Sequence, residues 1–246
     1  MVTEQQVLLV DIGNTSVKFI PLSEFQNKPQ SSPTLKTFQE WLALNPQITS
    51  IFLSSVRQAG DKQPLREFCK HKKIKLYEIY TEQKKFGLIN SYQDVGKMGV
   101  DRWLAMIAAI HLTDRPFVVI DAGTAITVDF VADGQHLGGW IVPGFVTMKN
   151  ALIASTQKVF SDDIMPDQLS LGTNTESGVA HGCLAAVQGI YVRARAHMAA
   201  NYEHFDIFIT GGDKNLFAFA RNDGSILAAN LVVQGLARYA KKQLFA

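Results

Sequence analysis

Cysteine is scarce in this sequence: Cys69 and Cys183 are the only two among 246 residues. So distant a pair, in no metal-ligand spacing, excludes a thiolate cage and a disulfide scaffold; two small, partly buried side chains in a reducing compartment are expected. Charge is also thin. Asp, Glu, Lys and Arg make up 19% of the chain, and the formal charge is +2 with its cations dispersed. The runs KHKKIK (70–75) and KK (84–85 and 241–242) suit solvated faces, so no nucleic-acid stripe is expected. No apolar stretch approaches the roughly 20 residues that span a bilayer, and the opening MVTEQQ lacks the basic end and apolar middle of a signal peptide. A cytoplasmic protein is the expectation. The common nucleotide signatures are missing too: there is no Gly-Lys-Ser/Thr phosphate loop and no dinucleotide glycine fingerprint. The six histidines form no pair at metal-ligand spacing.

What is present is an ample core, with 47% apolar residues in a chain long enough for one large domain or two lobes. Residues 7–13 and 17–20 read as two strands around a Gly-Asn turn, and 21–34 as a connection. LKTFQEWLAL and KQPLREFCKHK read as helices, SIFLSSV and KLYEIYT as strands. After a polar passage over 82–100, DRWLAMIAAIHL is apolar almost all round and reads as a buried helix. TDRP at 113–116 ends it, because the residue before a proline avoids helical angles.

The pattern then restarts. FVVIDAGTAITVDFV (117–131) repeats the apolar strand, Asp, glycine turn and second strand of LLVDIGNTSVKFI. Asp121 stands 110 residues after Asp11, Gly123 matches Gly13, and Thr124 matches Asn14. A repeat of that length implies two similar lobes, divided here as 1–113 and 114–246, rather than a solenoid. The second lobe continues through a Gly/Pro-rich passage (134–145), helical residues near 146–158 and a long helix around 174–200. A strand at 205–210, a GGD turn, a short helix and an amphipathic closing helix, LVVQGLARYAKKQL, complete it. Strands and helices interleave, so the class is α/β.

A single Asp-x-Gly turn can be ordinary hairpin punctuation. Two copies at lobe spacing favour a phosphate site. Glycine lets backbone approach phosphate oxygens, and an Asp beside them fits if Mg²⁺ sits between. Thr15, Ser16 and Thr124 can donate hydroxyl hydrogen bonds, and Lys18 can neutralise charge. ITGGD (209–213) is a third glycine turn, with Asp213 an alternative N-cap. Together the turns suggest ATP in a cleft between the lobes. In GVDRW (99–103), Asp101 either caps the buried helix or accepts a proton from an attacking hydroxyl, with Arg102 gripping the acceptor. In TNTESG (173–178), Thr173 and Glu176 fit a capping box, which leaves Thr175 without a structural role.

DIGNTSVK, GVDRW, DAGTAITVD, GGWIVPG, the NT at 174–175 and ITGGD, in that order, resemble the type III pantothenate kinases of the acetate and sugar kinase/Hsc70/actin superfamily. The resemblance runs nearly the full length. It implies a two-lobed actin-like (ribonuclease H-like) duplicated fold and ATP-dependent phosphorylation of pantothenate, the first step of coenzyme A synthesis. It also implies Mg²⁺, a monovalent cation (K⁺ or NH₄⁺) and a homodimer, with neither nucleic acid nor membrane as partner. Carried over residue by residue, Asp11, Ile12, Gly13, Asn14, Thr15, Ser16, Val17, Lys18 and Thr124 would bind ATP. Asp121 would hold the monovalent cation, and Asp101 would accept the proton. Tyr92, Gly99, Val100, Asp101, Arg102 and Thr175 would line the pantothenate site. Val100 stands where the family commonly has Ala, and Val95 where it often has Pro; both bear on loop shape rather than on the charged groups. The other readings are a non-enzymatic transcriptional accessory regulator on the same scaffold and a kinase of a different small alcohol.

Overall fold

The computed structural model describes residues 2–155 and 165–245. The chain forms two compact units, Met1–Leu112 with Ala229–Ala246, and Thr113–Ala228.

In the first unit, β1 (Val7–Ile12) and β2 (Val17–Pro21) form an antiparallel hairpin, and β3 (Gln30–Ser32) extends it. Helix α1 (Leu35–Ala43) starts at Thr34, whose hydroxyl accepts the Thr37 amide while the Thr37 side chain takes the Thr34 amide. Strand β4 (Ser50–Ser55), helix α2 (Ala59–Lys72) and strand β5 (Lys75–Glu78) follow, giving the order β3-β2-β1-β4-β5 with β1, β4 and β5 parallel. The unbroken apolar runs of β1 and β4 suit central strands covered on both faces. Leu8, Val10, Ile51 and Leu53 pack there with Phe38, Leu42 and Leu65.

A small hairpin, β6 (Lys84–Lys85) and β7 (Leu88–Ile89), turns through Phe86 and Gly87, both at positive φ as a two-residue hairpin loop demands. Helix α3 (Val100–Ala109) follows and, as its composition predicts, is buried nearly all round.

The second unit repeats the first. Strands β8 (Phe117–Ala122) and β9 (Ala125–Ala132) pair antiparallel, and β10 (Gln135–Pro143) extends them. Helix α4 (Phe145–Ser155) and the 27-residue α5 (Thr175–Asn201) lead to β11 (Asp206–Thr210), parallel to β8, and to β12 (Ile226–Leu227). The strand order within this unit, β10-β9-β8-β11-β12, is that of the first. The duplication read from the two Asp-Gly turns is thus a duplication of topology.

Helix α6 (Leu231–Leu244) closes the chain. The sequence-based division at 113/114 gave it to the second lobe; it groups instead with the first unit. Gly235 lets it lie against the Leu104 backbone of α3, where a β-carbon would collide with the Leu104 carbonyl. Two further readings shift. The Gly/Pro-rich passage 134–145 is largely the strand β10, with a bulge between His136 and Gly138 that the positive φ of Gly138 accommodates. The cap of α5 is Asn174 paired with Ser177, one residue beyond the expected Thr173–Glu176 box. Part of the helix expected near 146–158 lies outside the described residues.

Candidate active site

The first turn hangs between the ends of β1 and β2. Asp11 pairs across the hairpin with Lys18 and lies level with Ser54 on β4. The Ser54 hydroxyl donates to Asp11 Oδ1 at 2.5 Å. Burial pushes the Asp11 carboxyl up to about 6; the Ser54 hydrogen bond and Lys18 oppose that, and Asp101 adds to it as a second negative charge. The Gly13 amide closes the turn on the Ser16 carbonyl at 3.1 Å. Asn14 and Thr15 are exposed at its tip, whereas Ile12 and Val17 are buried, so only their backbone is available to a ligand.

Asp101 does not cap α3. The N-cap is Gly99, and Asp101 lies in the first turn, where a carboxylate is favoured by the helix dipole. Its Oδ1 accepts the Arg102 amide at 2.8 Å and folds over Gly99, so that a β-carbon on Gly99 would run into it. Arg102 is buried. Its Nη1 donates to the Tyr92 hydroxyl at 2.9 Å, and its guanidinium lies 5.7 Å from the centre of that ring. The first unit therefore brings together Tyr92 with Arg102, and the charge of Asp101 is felt at Asp11. The start of α3 also borders a cavity of about 390 Å³, lined by Ser55, Arg57, Tyr80, Thr81, Lys97 and Gly99 among others.

In the second unit Asp121 is the next-to-last residue of β8, opposite Thr127 and level with the buried Thr210. Its turn is shorter, only Gly123 and Thr124 between the strands. Gly211, at φ +97, faces both the Ala122 carbonyl and Asp121 Oδ1, and a side chain there would strike them. The Thr124 carbonyl accepts from the Gly144 amide at 2.9 Å and from the Thr147 hydroxyl at 2.7 Å. Asp213 precedes a 3-10 helix without a side-chain capping bond; its amide donates to the Ala122 carbonyl at 3.0 Å. Thr175, the exposed first residue of α5, edges a largely apolar cavity of about 410 Å³ with Met148, Leu152 and Val179.

Among the described residues no three His, Cys, Asp or Glu side chains cluster as a cage. A carboxylate such as Asp11, beside a turn whose amides can meet phosphate, is the donor type Mg²⁺ takes, with phosphate oxygens and water supplying most of its other ligands. Sequence reading missed Ser54 and Arg57, which reach the first turn from β4 and the loop after it.

Duplicated five-stranded units, each opening with an acidic glycine turn, define an actin-like fold of the sugar-kinase kind. Solved structures share it. A Campylobacter jejuni protein described as a candidate Baf family transcriptional activator is 24% identical, with a TM-score of 0.63 over 96% of this chain and 98% of its own. A candidate 2-dehydro-3-deoxygalactonokinase from Sinorhizobium meliloti is 14% identical, with a TM-score of 0.60 over 98% and 97%. The family model for type III pantothenate kinases matches residues 7–195. A type III pantothenate kinase of Pseudoalteromonas atlantica is 33% identical over 97% of this chain and 99% of its own length, and one of Colwellia psychrerythraea is 32% identical over 95% and 100%. The chain belongs to the type III pantothenate kinase family.

Proposed function

We propose that this chain phosphorylates pantothenate, the first step of coenzyme A synthesis, by direct transfer from ATP, with Asp101 receiving the proton of the attacking hydroxyl. The observation that supports the assignment of roles is that the Ser54 hydroxyl holds Asp11 at the first turn, whereas the Asp101 carboxylate folds over Gly99 at the start of α3, next to the buried Arg102. Asp11, held by Ser54, belongs with the nucleotide and its Mg²⁺, whose chemistry is to neutralise charge on the phosphates. Asp101 is left to the acceptor. A carboxylate is a weak base, with an ordinary pKa of about 3.9. That suffices for phosphoryl transfer, where the transition state is loose and positioning outweighs basicity.

The rest of the turn, Gly13 to Lys18, offers amides, hydroxyls and one ammonium to the phosphates, and Thr124 is assigned to ATP. The buried Arg102, oriented by Tyr92, is the cation for the acceptor's carboxylate or amide carbonyl, with Gly99, Val100 and Thr175 as further contacts. Asp121 is assigned to a monovalent cation. The grounds for K⁺ or NH₄⁺, a homodimer and a cytoplasmic place are the family's pattern. Among the described residues no helix is long and apolar enough to cross a membrane.

A coupled ADP-release assay tests the reading. Pantothenate-dependent ADP formation that needs Mg²⁺ and rises with K⁺ is the expected result. ADP release indifferent to pantothenate would end the assignment of the acceptor.

A further inference from the structure

A hairpin turn needs little to close it, and the Gly13–Ser16 backbone bond does so here. Yet a second element also grips this turn. From the loop after β4, Arg57 donates through Nε to the Gly13 carbonyl at 2.8 Å and through Nη2 to the Asn14 carbonyl at 3.3 Å. Its own backbone is fixed, because the Val56 amide bonds the Ile12 carbonyl at 3.4 Å and the Arg57 amide bonds the Ser55 hydroxyl at 3.2 Å. A planar fork that donates in two directions suits two successive carbonyls; a lysine could not replace it.

In a planar trans peptide the C=O and the next N–H point opposite ways. Drawing back the carbonyls of Gly13 and Asn14 therefore turns the amides of Asn14 and Thr15 outward. It also removes two oxygen dipoles that would repel phosphate. The second unit reaches the same state by unrelated means, since the Thr124 carbonyl is tied back by the Gly144 amide and the Thr147 hydroxyl. Two turns of common topology, two carbonyls of the first and one of the second bound by different groups, point to a shared requirement of the ligand face rather than of the hairpin.

We propose that Arg57 is a positioning residue for the nucleotide, ordering the first turn so that its amides present themselves to the phosphates of ATP. This rests on the proposed function, transfer from ATP to pantothenate.

The test varies ATP and pantothenate in turn for wild type, Arg57→Gln, Arg57→Lys and Arg57→Ala. In Arg57→Gln, kcat/KM for ATP is expected to fall about 10- to 100-fold. KM for pantothenate should stay within about twofold of wild type, because the loss is confined to the nucleotide. Arg57→Lys should remain impaired. Millimolar guanidinium should restore part of the activity of Arg57→Ala, while sodium chloride at equal ionic strength should not. ATP parameters near wild type would overturn the proposal. So would losses shared equally by both substrates with no recovery by guanidinium, the mark of a merely structural role. Should wild type release no pantothenate-dependent ADP, the functional reading fails instead, and equilibrium titration of ATP–Mg²⁺ decides the clamp. Wild type binding ATP more tightly than Arg57→Gln would then support it; equal binding, or none by either, would overturn it.

Discussion

A missing methyl group sets the position of the proposed proton acceptor. Gly99 has ordinary angles (φ −56, ψ 132) that alanine can adopt, so the backbone gives no reason for glycine there. The reason is the Asp101 carboxylate, which occupies the space a β-carbon would need. Gly99→Ala should therefore fold normally, with an unfolding midpoint within a few degrees of wild type, while the displaced carboxylate lowers kcat by about 10²-fold. Circular dichroism melting and steady-state kinetics on one preparation check both halves. Asp101→Asn keeps the shape and removes the base, and the expected loss in kcat is about 10²- to 10⁴-fold. Normal turnover in both variants would reduce Asp101 to a favourable charge at a helix start.

At the scale of elements, the contact between α2 and β5 carries a pH dependence. Glu78, at the end of β5, receives Arg66 Nε at 2.6 Å and Nη2 at 2.9 Å, and Lys62 lies 3.3 Å away. The Arg66 hydrogen bonds lead in holding the Glu78 carboxyl down to about 2, below its usual value of 4.5. A carboxylate whose pKa is depressed by folding stabilises the fold above its unfolded pKa, and that contribution is lost as pH falls towards the folded value. Glu78→Gln should thus be less stable than wild type by about 0.5–1 kcal/mol near neutral pH, because solvent on the Arg66 side screens the pair, and the gap should close between pH 4.5 and 2. Denaturant melts across that range would show it, and a gap constant with pH would contradict it. Elements of this kind were legible where a pattern had room to repeat. The apolar runs of β1, β4 and β8 and the near-uniform apolarity of α3 announce burial without tertiary information. Strands β3, β6, β7 and β12, two or three residues each, are too short to show a period. Strand β10 hid behind Gly138, whose positive φ serves a bulge rather than a loop. The site divides likewise. Asp11 and Asp121 stood out because each lies at the far end of an apolar run, two residues before a glycine. Ser54 and Arg57 were not, because they reach the turn only through the parallel register of β4 on β1.

At the scale of the whole molecule, the duplication explains why two turns so far apart in sequence look alike, but it does not extend to the chain's end. The second unit is one continuous segment, Thr113–Ala228, whereas the first is completed only by the closing segment Ala229–Ala246. Helix α6 buries Leu231, Val233, Leu236 and Tyr239. Its Tyr239 hydroxyl accepts the Trp103 indole N–H at 2.9 Å and donates to Glu82 at 2.7 Å, while Arg238 donates to the Ile107 carbonyl at 2.6 Å. Helix α3, which carries Asp101 and Arg102, is therefore braced from the far end of the sequence. Burying a Leu or Val side chain contributes about 1.5–3 kcal/mol before the entropy of ordering the helix is subtracted, so losing Leu231, Val233 and Leu236 together is a large change against the roughly 5–15 kcal/mol of net stability of a whole domain. A chain stopped after Ala228 would also leave the buried Trp103 indole without its acceptor. Such a chain should lose pantothenate-dependent turnover and the cooperative melting of its first unit. Limited proteolysis should then degrade residues 1–112 first and leave a resistant core within 113–228. A truncated chain that kept both its turnover and the protease resistance of residues 1–112 would show that α3 holds its place without α6, and that the last helix merely covers a unit already complete.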